Sequence, residues 1–150
     1  MPDTTTTTGV LPAFDCEFEI NTAGRSTTPA WETIKDIEEL QITVDGAIQE
    51  WNPYDQKGWA RRALTGKKIG IAVKGKRNYG NTGNDYVAEK ILQKGQKVES
   101  QFKLTLPNKD ILEFDCIINT TNAFGGAATD LNALEAEFLS DGEPTFTKSA

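Results

Sequence analysis

Val98–Leu106, VESQFKLTL, is followed by the tetrapeptide Pro107-Asn108-Lys109-Asp110 and then by Ile111–Asn119, ILEFDCIIN. Phe102, Leu104 and Leu106 fall on every second position of the first run, and a period of two places them on one face of a strand. The tetrapeptide has turn composition. Two alternating runs joined by so short a turn form an antiparallel hairpin, so the chain is read as β-rich from this point outward.

Upstream, Phe14–Ile20 reads FDCEFEI. Phe14, Cys16, Phe18 and Ile20 alternate with Asp15, Glu17 and Glu19, the pattern of a half-buried strand with one acidic face. Leu40–Val44 is a second strand ended by Asp45-Gly46. Ile69–Lys74 is a third, with Ile69, Ile71 and Val73 on one side. Between them, residues 47–66 have no regular period and read as a long loop with a short helical turn near Trp59–Leu64. A loop of that length inside a domain is usually functional or a linker. Thr82 and Asp85 mark a helix start, Asp85–Lys94 reads as a short helix, and Gly95 ends it. Downstream of the hairpin, residues 130–139 alternate Leu134, Ala136 and Phe138 with Glu135 and Glu137. Residues 144–147 read as a short last strand or a tail. Six or seven strands, short turns and one helix predict an all-β antiparallel sandwich or barrel with a small flanking helix. The expected organisation is a flexible Thr-rich arm at residues 1–12 and a single domain at 13–150.

Composition narrows the function. The chain has 150 residues, 37% hydrophobic and 25% charged, as expected of a folded domain. No apolar run reaches the ~20 residues that span a bilayer, and the first residues lack a secretory leader pattern. There is no histidine, which removes the commonest general base and metal ligand and every His-dependent triad. Two cysteines, Cys16 and Cys116, are too few for a zinc cluster. They read as buried thiols, with a disulfide between neighbouring strands left open by the sequence. Thr65-Gly66-Lys67-Lys68 lacks the upstream glycine of a phosphate loop. Neither a catalytic residue, a metal nor a cofactor is expected.

Charge is segregated along the chain. Residues 1–50 carry 2 basic and 10 acidic side chains, residues 51–110 carry 13 and 5, and residues 111–150 carry 1 and 7. Opposite blocks of this kind suit head-to-tail attraction between copies. The basic run Arg61, Arg62, Lys67, Lys68, Lys74, Lys76 and Arg77, with Trp59 and Tyr79 near it, supports an alternative reading as a nucleic-acid-binding β-barrel module using segment 61–77. The acidic total, with a sequence pI near 4.7, weighs against that alternative.

An ordered set of short stretches carries a resemblance. These are Trp31-Glu32-Thr33-Ile34; Glu50-Trp51-Asn52-Pro53-Tyr54-Asp55 with Gly58-Trp59; Thr65-Gly66-Lys67-Lys68; Lys74-Gly75-Lys76-Arg77 with Gly83-Asn84-Asp85-Tyr86-Val87; Gly125-Gly126; and Ser140-Asp141-Gly142-Glu143-Pro144. In this order they resemble the major tail tube proteins of long-tailed bacteriophages. The resemblance implies a β-sandwich with a flanking helix, hexameric rings stacked as a tube, and a lumen through which DNA passes without specific binding. It implies a virion tail subunit assembled in the host bacterial cytoplasm, with other tail proteins such as the tape measure and tail terminator as partners. Trp51, Tyr54, Trp59, Arg61 and Arg62 have the composition of interface anchors and are expected to serve contacts between subunits or rings. Glu17, Glu19, Glu135 and Glu137 are the expected acidic lumen wall.

Overall fold

The structure, a computed structural model, describes residues 9–148; most of the expected N-terminal arm, residues 1–8, lies outside them. Eight strands form one continuous antiparallel sheet: β1 (Glu17–Asn21), β2 (Trp31–Thr33), β3 (Ile37–Trp51), β4 (Arg61–Lys76), β5 (Glu99–Thr105), β6 (Ile111–Asn122), β7 (Ala133–Ser140) and β8 (Thr145–Thr147). Their order is β2-β1-β5-β6-β7-β4-β3, and β8 pairs with β6. One helix, α1 (Thr82–Ala88), is followed by a 3-10 turn at Glu89–Leu92.

The β5–β6 hairpin forms as its alternation predicts, with Phe102 opposite Phe114 and Leu104 opposite Leu112. Its register also shows that the sheet curls. Phe102 and Phe138 sit on β5 and β7, with β6 between them, and their partners on β6 are Phe114 and Ile118. A flat sheet would hold their Cα atoms roughly 17 Å apart. Their rings instead stack with centroids 4.5 Å apart. The wall made by β1 and β5 therefore folds over the wall made by β7 and β4. The core lies between, built from Ile20, Ile71, Val73, Phe102, Leu104, Ile118, Leu134 and Phe138 among others. The expected sandwich or barrel is thus realised as a single coiled sheet with its helix packed on one end.

Three expectations are corrected. Residues 47–66 are not a long loop. Residues 47–51 and 61–66 extend β3 and β4 into one long hairpin, leaving only residues 52–60 as its tip. No helical turn forms at Trp59–Leu64; the local turn is a 3-10 turn at Tyr54–Gln56. These extensions are exposed on both faces and carry a single apolar pair, Ile48–Leu64, too little to show as a period in the sequence. Their backbone pairing alone makes them strands, and an extra residue at Thr65 shifts the register there. Secondly, β1 begins at Glu17 because Ala13–Asp15 form a 3-10 turn that leaves Phe14 exposed. Thirdly, the helix starts earlier and is shorter than read. Asn81, not Thr82, caps it through its side chain, accepting from the Asn84 N–H at 2.9 Å.

The cysteines are both free. Cys116 pairs with Ser100 at one end of β5, whereas Cys16 precedes the Glu17–Thr105 pair at the other. That spacing is roughly 20 Å along the strand, far beyond disulfide reach. Burial pushes the Cys116 thiol up to about 12, with Arg25 opposing and Asp115 adding to the shift.

Candidate functional site

The β3–β4 hairpin is the feature that a self-contained domain would not need. Among the described residues β4 pairs with β7 only from Gly70 to Lys76, and β3 has no strand neighbour on its other side. From Val44–Ile69 to Trp51–Arg61 the two strands pair only with each other, so an arm about 25 Å long leaves the body. β3 is also a 15-residue sheet edge. Unpaired backbone groups along such an edge are a template for another chain.

Pairing rows show that the arm has two different faces. One row runs Ile42–Ile71–Phe138–Ile118, and Ile71, Phe138 and Ile118 are core residues. The same face continues outward as Val44–Ile69 and then Ile48–Leu64. There it is uncovered: Val44 is 56%, Ile48 62% and Leu64 53% exposed. The opposite face carries Gln41, Thr43, Asp45 and Gln49 on β3, interrupted by Ala47 and ended by Trp51. It continues across β4 to Glu137 and Glu135 on β7. A strand pair with one apolar and one polar face buries the apolar one. Among the described residues nothing covers it along the arm, because the body ends at the Gly70–Leu139 pair.

The five expected anchors gather at the tip. Tyr54 is 98% and Trp59 78% exposed. Arg61 lies over the Trp51 ring at 5.6 Å, and Arg62 Nε donates to Glu50 Oε2 at 3.1 Å. The turn between them is closed by Lys57 in the left-handed region and by Gly58 at φ 94°, a backbone shape that glycine adopts without strain.

The four expected lumen glutamates are not on one surface. Glu135 and Glu137 lie on the outer face of β7, beside the polar face of the arm. Glu17 and Glu19 lie on β1, in the opposite wall, where Glu19 is in register with Lys103. Glu135 is engaged locally, with Lys74 Nζ at 4.0 Å and Asn122 Nδ2 donating at 3.1 Å.

The basic run is dispersed as well. Arg62 pairs with Glu50, Lys74 with Glu135, Lys76 with Glu38 and Arg77 with Asp85. Only Lys67 and Lys68 of its lysines lack an ion pair among the described residues. Arg77 lies over one face of the otherwise exposed Tyr79 ring at 4.3 Å, some 50 Å along β4 from the tip. No continuous basic stripe with stacking rings results. Among the described residues no three His, Cys, Asp or Glu side chains gather as a metal site.

No protein-family profile and no curated protein matches the chain. Solved structures do. The chain superposes on a subunit in the tail of an empty gene transfer agent particle, refined with helical C6 symmetry. The TM-score is 0.72 at 18% identity, over 92% of this chain and 99% of that one. A subunit from the virion of the native gene transfer agent particle matches at TM-score 0.68 and 16% identity, with the same coverage. The fold is that of a phage-like tail tube protein. Sequence signals for the tube-fold arm were partial. Trp51, Trp59 and the arginines stand out in the sequence by residue type, but the stripe Val44, Ile48 and Leu64 emerges only from the β3–β4 register.

Proposed function

We propose that this chain is a structural, non-enzymatic tail subunit. It assembles with copies of itself into hexameric rings that stack as a tube, a conduit for DNA ejection. The observation that carries the reading is the uncovered, two-faced β3–β4 arm. Its apolar face lacks a cover among the described residues of one copy, and its edge offers a template for a strand partner. Joining arms side by side around a ring satisfies both needs, with apolar faces turned to neighbouring bodies and polar faces turned inward. In that arrangement Glu135 and Glu137, together with Asp45, face the lumen, where carboxylates repel the phosphate backbone of passing DNA. Glu17 and Glu19, on the opposite wall, face outward. Trp51, Tyr54, Trp59, Arg61 and Arg62 at the tip serve contact between rings.

The subunit then belongs to the tail of a virion-like particle assembled in the host bacterial cytoplasm. Its further partners are other tail proteins, such as the tape measure inside the tube and a terminator at its end. Electron microscopy of the concentrated pure protein tests the proposal: rings or tubes are expected. A protein that remains single at millimolar concentration overturns it. The nucleic-acid reading makes a different forecast, salt-dependent retention on DNA; the pairing of Arg62, Lys74, Lys76 and Arg77 with acids disfavours it.

A further inference from the structure

The two ends of β4 carry complementary features. At Arg61 the strand emerges from the arm tip, with Tyr54 and Trp59 exposed. At Lys76, about 50 Å away along the same strand, the chain turns into a groove of about 330 Å³ beside α1. The groove is lined by Tyr79, Ala88, Ile91, Leu92 and Phe124. Three of these are large and uncovered: Tyr79 at 68%, Leu92 at 84% and Phe124 at 66% exposure. Its volume is at the small end of pockets that enclose a ligand, suited to one large side chain.

The charges at the two ends also match. The groove rim presents Asp85 and Glu89, whose side chains are 42% and 57% exposed. Their cationic partners Arg77 and Lys90 are tucked in at 12% and 9%. The surface around the groove is therefore acidic outward. The tip carries exposed Lys57 and Arg61 against the single unpaired acid Asp55. Features at opposite ends of one axis make a contact between unlike surfaces, which extends without closing on a two-fold.

We propose that the groove beside α1 receives the arm tip of a copy in the next ring, with Trp59 seated between Leu92 and Phe124 and Lys57 facing Glu89. The inference rests on the tube reading and names the receiving surface that reading leaves open.

Tube formation is measured by sedimentation and electron microscopy for Leu92→Glu and Phe124→Glu. Both positions are exposed, so the monomer keeps its melting temperature. Sedimentable tube is expected to fall at least about tenfold, as for loss of one interface anchor. Charge reversal supplies the second arm: Lys57→Glu and Glu89→Lys each lower tube yield, and the double variant recovers it. Unchanged tubes in both groove variants, or no recovery in the double variant, overturn the groove assignment while leaving the tube reading intact. A wild-type protein that forms neither rings nor tubes overturns both.

Discussion

Arg77 Nη1 donates to Asn84 Oδ1 at 3.0 Å, and this contact ties the end of β4 to the first turn of α1. Asn84 is fully buried and uses every polar position it has. Its Nδ2 donates to the Lys35 and Lys76 carbonyls, each at 3.0 Å, and its Oδ1 also accepts from the Asn78 N–H at 3.0 Å. One amide thus joins the β2–β3 link, the end of β4 and the helix. Gly83 beside it lies so close to the Thr33 carbonyl that a Cβ would collide with it.

Replacing Asn84 by leucine takes the partner from the Lys35 and Lys76 carbonyls and from the Asn78 N–H, while Arg77 Nη1 keeps Asp85. The expected loss is about 2–4 kcal/mol, read as a lower denaturant midpoint with an unchanged slope.

Phe102 and Phe138 hold the two walls together, so truncation there opens a cavity between them. Phe102→Ala is expected to cost about 3–5 kcal/mol. Phe146→Ala, at a half-exposed ring on the three-residue strand β8, is expected to stay within about 0.5 kcal/mol. Urea denaturation of the two variants side by side checks the contrast.

Removing both tip indoles separates assembly from stability. The double variant Trp51→Ala, Trp59→Ala loses the exposed Arg61–Trp51 contact, worth about 0.5–1 kcal/mol, and keeps its core. Its melting temperature stays near that of the parent, and its polymer fails to sediment. Normal polymerisation by this variant refutes the role given to the tip.

Cys116 gives a pH test with a fixed sign. Its folded-state value of about 12 lies above the ordinary thiol value of 9.0 because burial disfavours the thiolate. Below pH 9 the thiol is neutral in both states and its contribution is complete. Between pH 9 and 12 the unfolded thiol ionises and the folded one does not, so stability falls by roughly 1.4 kcal/mol per pH unit. The slope difference between the parent and Cys116→Ala over that range measures it. A thiol reagent applied to the native protein at pH 8 is expected to spare Cys116.

What the sequence determined is local and periodic. The runs around Phe102, Leu104 and Leu134–Phe138 bury one face each, and a period of two is all that is needed to say so. The turn at 107–110 and the helix near Asp85 were legible because turn and cap residues act over three or four positions. The tip aromatics and arginines stood out by type alone. The tertiary structure decided whatever depended on which strand lies beside which. The arm at 47–51 and 61–66 is solvated on both faces, so its pairing, and not its hydropathy, makes it a strand. The separation of Glu17 and Glu19 from Glu135 and Glu137 follows from the curl of the sheet, a relation between residues more than a hundred positions apart. Asn84 is one more polar residue in the sequence; only the meeting of three chain segments around it gives each of its four hydrogen bonds a partner.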